Sequence, residues 1–119
     1  MLNHLTLLKF KKPTTDAAVE DLSSDLDALP NSIVEIQMLE FGRNVIRTPR
    51  SYDFAVWALF ANEETLARYL QHPKHLLVVE KIEQMSDSVV TVAFYGSDAG
   101  CLRERPPVNW LAGDDFSDL

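Results

Sequence analysis

Apolar and polar positions alternate from residue 2 to residue 11, with Leu5 and Leu7 on one side and His4, Thr6, Leu8 and Phe10 on the other. That two-residue period predicts a β-strand. Pro13 ends it. Thr14 or Thr15 can then cap a helix with Asp16 in its first turn; Val19, Leu22, Leu26 and Leu29 recur at helical spacing as its inward stripe, and Pro30 is expected to stop it. Residues 33–45 read as a second strand, Gly42, Asn44, Thr48 and Pro49 as turn chemistry, and residues 52–61 as a third strand rich in β-formers and aromatics. Asn62 caps the next helix, whose first turn holds Glu63 and Glu64 and whose inward candidates are Leu66, Tyr69 and Leu70. Pro73 interrupts it. Because proline fits the first position of a helix, a further helical segment starts there, with His75, Val78, Val79, Ile82 and Met85 as its stripe. Residues 88–95 form a fourth strand, and from Gly96 onward the pattern disappears.

The order β-α-β-β-α-β is that of a ferredoxin-like α+β fold. Right-handed crossovers place the helices on one face of a four-stranded antiparallel sheet. The other face then shows Leu5 and Leu7, Ala55, Trp57 and Leu59, and Val90, Val92 and Phe94, an apolar surface of a kind monomers seldom expose. A second copy covering it makes the chain a homodimer through the sheet face, the sheets of the two chains packing about 10 Å apart as a dimeric barrel. The division expected is a domain over residues 1–96 and an acidic C-terminal tail over 97–119.

Charge narrows the partners. The 119 residues carry 11 Lys and Arg against 18 Asp and Glu, a formal net charge of −7. A nucleic-acid binder needs a basic stripe, and the longest basic cluster here is Lys9, Lys11 and Lys12, so no nucleic acid is expected. No stretch reads as a membrane span, and no membrane partner is expected. His4 interrupts the apolar opening and no small-residue cleavage site follows it, so the reading is a cytoplasmic chain without a targeting segment. The single Cys101 has neither a disulfide partner nor a second thiol at zinc spacing, and His72 and His75 lack the four-residue spacing of helical zinc motifs. Neither a metal nor another cofactor is expected.

Four stretches together resemble the stress-responsive A/B barrel, or dimeric α+β barrel, domain family. They are the opening His4-Leu5-Thr6-Leu7-Leu8-Lys9-Phe10-Lys11, the turn Phe41-Gly42-Arg43-Asn44, the strand start Ser51-Tyr52-Asp53-Phe54, and Tyr69-Leu70-Gln71-His72-Pro73-Lys74-His75. The resemblance extends to about Gly96. It implies a small homodimer, in many members without assigned chemistry, holding a small apolar or aromatic ligand in a modest pocket between helices and sheet. The family's best-defined branch is similar to a polyketide cyclase that closes a ring by an aldol reaction. By that resemblance the catalytic residues fall on Tyr69 and His75, with His4 as a pocket histidine on the first strand, and the ligand-binding lining on Thr6, Leu8, Leu22, Leu26 and Val56. The first helix supplies leucines where the cyclase branch has aromatics.

The residues themselves add three constraints. His75 stands near a helix start, where the positive dipole end disfavours imidazolium and favours the neutral ring that a general base requires. Tyr69 lies six residues before it, about 120° away on an unbroken helix, so the two can cooperate only if Pro73 resets the phase. By spacing alone Tyr69 pairs with His72, three residues on. In the tail, Trp110, Leu111 and Phe116 stand among Asp114, Asp115 and Asp118. That stretch is either solvated or docked on the partner or over the pocket mouth.

Overall fold

Seven elements follow one another in the computed structural model, which describes residues 1–96: β1 (Leu2–Phe10), α1 (Asp16–Ser32), β2 (Met38–Arg43), β3 (Phe54–Phe60), α2 (Glu63–Gln71), α3 (Pro73–Met85) and β4 (Ser86–Tyr95). The expectations for Cys101, Trp110, Leu111 and Phe116 lie outside the described residues. The strands form one antiparallel sheet in the order β2-β3-β1-β4. This is the ferredoxin-like α+β arrangement expected from the pattern.

The register settles which side chains share a face. Leu5 lies opposite Trp57 on β3 and Val92 on β4, and Leu7 lies opposite Ala55 and Val90. The alternate positions Leu2, Leu8, Phe54, Val56, Ala58 and Phe60 are buried under the helices, together with Val19, Leu22, Leu26 and Leu29 of α1, Leu66 and Tyr69 of α2, and Val78 and Ile82 of α3. Each buried leucine contributes about 1.5–3 kcal/mol relative to exposure, so the α1 stripe alone anchors that helix. On the opposite face Val90, Val92 and Phe94 stay exposed. Polar residues also stand on that face: Glu40 lies opposite Trp57, and Asn3 Oδ1 accepts a 2.8 Å hydrogen bond from Trp57 Nε1.

Several boundaries differ from the expected ones; β1 ends at Phe10 rather than at residue 11, and β4 begins at Ser86 rather than at residue 88. Pro30 does not stop α1, which continues to Ser32. Proline forfeits one rung of the helix, but so near the end that loss is offset by the packing of Leu26 and Leu29, and the Ile33 amide closes the last turn on the Leu29 carbonyl at 2.9 Å. The second strand is Met38–Arg43 rather than 33–45, because Ile33 is buried as the C-cap of α1 while Val34 is 86% exposed, which breaks the alternation. The third is Phe54–Phe60 rather than 52–61. Asp53 is held instead by bonds to β1, its amide donating to the Leu8 carbonyl at 2.8 Å and its Oδ2 accepting from the Phe10 amide at 2.8 Å. No helix among the described residues is long and apolar enough to cross a membrane.

Candidate functional site

The break between α2 and α3 builds the site. Asn62 and Thr65 cap α2 reciprocally, each side chain accepting from the other residue's amide. At the far end His72 leaves helical geometry with φ −66° and ψ 134°, as a residue before proline must, and Pro73 opens α3. The His72 ring is spent on this junction, its Nδ1 accepting from the Lys74 amide at 3.1 Å. The pairing of Tyr69 with His72 suggested by spacing is therefore not made. The change of phase instead brings His75 against Tyr69, with ring centroids 4.1 Å apart and planes inclined by 41°.

Tyr69 is gripped on its other side by Phe60 at 4.8 Å, and His4 approaches it edge-on from β1 at 6.5 Å. The rings of Tyr69, His75 and His4 border a cavity of about 270 Å³ between helices and sheet. Of the lining expected from the resemblance, Thr6, Leu26 and Val56 are there. Leu8 and Leu22 are not: both are fully buried in the packed core, Leu8 paired opposite Phe54 at the filled end of the sheet. In their place α2 and α3 contribute Leu70, Val78, Val79 and Ile82, and β4 contributes Val89 and Thr91. The β4 wall could have been found from its alternation, since Val89 and Thr91 occupy the parity opposite Val90 and Val92.

The electrostatics favour neutral groups. Burial pushes the His75 imidazole below the ordinary histidine range; the nearby His4 and His72 act in the same direction, and the Leu70 carbonyl opposes them. Burial is the chief cause of the depression. His75 Nδ1 stands 3.3 Å from the Leu70 carbonyl oxygen. A carbonyl only accepts, so in the neutral ring Nδ1 carries the proton and Nε2 keeps its lone pair. His4 is lowered by burial as well. Burial pushes the Tyr69 phenol up to about 12, so it remains protonated and able to donate. No Lys, Arg, Asp or Glu among the described residues lines the cavity. Among the described residues no group of three or more His, Cys, Asp or Glu is arranged to hold a metal ion.

Comparison with known proteins agrees with this architecture. The chain is 32% identical over 81 residues to the uncharacterized protein SCO4036 of Streptomyces coelicolor, the match covering 63% of this chain and 79% of that one. It superposes with a TM-score of 0.72 on a dimeric ferredoxin-like protein of unknown function from Thermobifida fusca at 30% identity, covering 78% of this chain and 88% of that one. A hydroxynitrile lyase from Passiflora edulis shares the fold alone, with a TM-score of 0.74 at 12% identity over 82% of this chain and 94% of that one. Since the Stress Responsive A/B Barrel Domain model matches residues 2–95, nearly the whole of the sheet and its helices, the chain belongs to that family.

Proposed function

We propose that this chain works as a homodimer through its bare sheet face, and that its cavity takes a small uncharged apolar or aromatic ligand on which His75 acts as general base and Tyr69 as hydrogen-bond donor. The observation that carries the reading is a single cavity of about 270 Å³ bordered by both Tyr69 and His75, with His4 and Thr6 contributed by the sheet. A charged ligand would lose its hydration there without gaining a counter-charge. A neutral carbonyl compound loses little, and its oxygen finds the Tyr69 hydroxyl. Proton removal by His75 Nε2 from a carbon beside that carbonyl would place the developing charge on the oxygen, where a hydrogen bond in an apolar surround is strongest. His4 orients the ligand or His75 from the sheet side. The aldol-type ring closure implied by the resemblance begins with such a step, and the leucines of α1 shape a different pocket from that branch's aromatics.

A second reading, a dimer that holds its ligand without turning it over, rests on the bond from His75 to the Leu70 carbonyl, which a purely structural histidine would also make. Crystals soaked in mixed small aromatic and acyl compounds, and separately in their carboxylated analogues, test the binding common to both. Density for a neutral compound beside His75 supports it; a cavity that stays empty, or that takes only the carboxylates, contradicts it.

A further inference from the structure

The loop from β2 to β3 is braced by its own hydrogen bonds. Asn44 Nδ2 donates to the Ile46 carbonyl at 2.9 Å, Asn44 Oδ1 accepts from the Ile46 amide at 3.3 Å, and Ser51 Oγ donates to the same carbonyl at 3.0 Å. The Thr48 and Ser51 hydroxyls meet at 2.8 Å, and at the base the Asn44 amide donates to the Asp53 carbonyl at 2.9 Å. A loop so tied presents Val45 and Ile46 outward, 89% and 71% exposed. Burying these two β-branched side chains is favourable, yet the described residues leave both largely in water.

Charge gathers at the same corner. Six of the chain's eleven Lys and Arg lie in residues 9–12 and 43–50, although the whole chain carries −7. Lys9, Lys11, Lys12 and Arg47 share an open cleft of about 530 Å³, and Lys9 Nζ reaches the Ser51 carbonyl at 3.4 Å. The acidic groups facing these cations are Asp16, paired with Arg43 at 3.0 Å, Asp53, paired with Arg47 at 3.6 Å, and Asp87 on the cleft wall. Six cations therefore meet three carboxylates.

A small anion or a nucleic acid would use the cations and leave Val45 and Ile46 in water. An anionic bilayer surface uses both, its headgroups meeting Lys and Arg while two apolar side chains enter the boundary with the acyl chains. The geometry points to the β2–β3 corner as a peripheral contact with an anionic lipid surface, made by Val45 and Ile46 together with Lys11, Lys12, Arg47 and Arg50. Such a contact needs no membrane-crossing helix, so it revises the expectation that no membrane is a partner, which rested on the lack of a span. Carboxylates elsewhere are repelled by the same surface, which orients the molecule with this corner down.

Co-sedimentation of the full chain with phosphatidylcholine vesicles, and with vesicles of phosphatidylcholine and phosphatidylglycerol in equal parts, tests this. The chain should pellet with the mixed vesicles only, and less at high salt. Val45→Ser/Ile46→Ser and, separately, Lys12→Glu/Arg50→Glu should each lower the bound fraction by about tenfold, with melting temperature and sedimentation coefficient unchanged. The proposal is overturned by failure to pellet with mixed vesicles, by equal binding to neutral ones, or by wild-type binding of Val45→Ser/Ile46→Ser. A shift of that variant's oligomeric state overturns it too, since the corner would then be a contact between copies.

Discussion

His75 lies against Tyr69 with ring centroids 4.1 Å apart, although six residues separate them and an unbroken helix would point them about 120° apart. The contact exists because His72 and Pro73 end one helix and start another. His72 caps α3 through the Lys74 amide, and loss of a cap costs about 1 kcal/mol. His72→Ala should therefore lower stability by about that amount in urea unfolding, and His72→Asn, which can cap, should restore most of it. Equal stability of wild type and His72→Ala would show that the ring does not hold the junction.

The half-buried His4 and His75 make the fold sensitive to mild acid. The folded-state values of His4 and His75 lie below the ordinary 6.5, chiefly through burial, so the unfolded chain takes up protons first. Their contribution is complete above pH 6.5 and is lost as pH falls from there toward the folded values. Because both rings are partly in water, the slope for each falls well short of the roughly 1.4 kcal/mol per pH unit of a full proton. Glu35, held below the usual carboxylate range chiefly by Arg68, responds only at lower pH. Urea unfolding at pH 7.0 and 5.5 should show this fall, and a His4→Gln/His75→Gln double variant should show a flatter profile; an unchanged profile would place both rings in water.

Ser86, where β4 meets α3, has the one buried side-chain oxygen without a hydrogen-bond partner among the described residues. An unsatisfied buried hydroxyl costs about 1–3 kcal/mol. Ser86→Ala should raise the melting temperature, whereas a lower one would mean that the hydroxyl is satisfied in solution.

Dimerisation is tested at Trp57, which is half-buried on the bare sheet face and donates to Asn3. Trp57→Asp would place a charge in a dry interface, at a cost of several kcal/mol. Analytical ultracentrifugation should show a wild-type dimer at micromolar concentration and a largely monomeric variant. A wild-type monomer contradicts the assembly.

Periodicity was enough for the core. Val19, Leu22, Leu26 and Leu29 are the buried residues of α1, and the parity of β1, β3 and β4 follows from alternation alone. Boundaries were harder, because caps and tertiary bonds decide them: Ile33 is apolar enough for a strand yet closes a helix. At the site, Pro73 signalled a break, but how far it turns the chain depends on the backbone of His72, which spacing does not encode. Leu8 and Leu22 share a face with Thr6 and Leu26, so the pattern marks them as inward; only packing separates a filled end of the sheet from an open one.

The proton-transfer claim is tested most directly by hydrogen exchange on a carbon acid. A small uncharged 1,3-dicarbonyl compound in deuterated buffer, followed by NMR, reports proton removal without requiring knowledge of the natural ligand. Wild type should accelerate exchange at the carbon between the carbonyls. Tyr69→Phe should weaken that acceleration, and His75→Ala should reduce it by about 10²- to 10⁴-fold, the usual loss when a general base is removed. Exchange no faster with wild type than with His75→Ala would contradict the account.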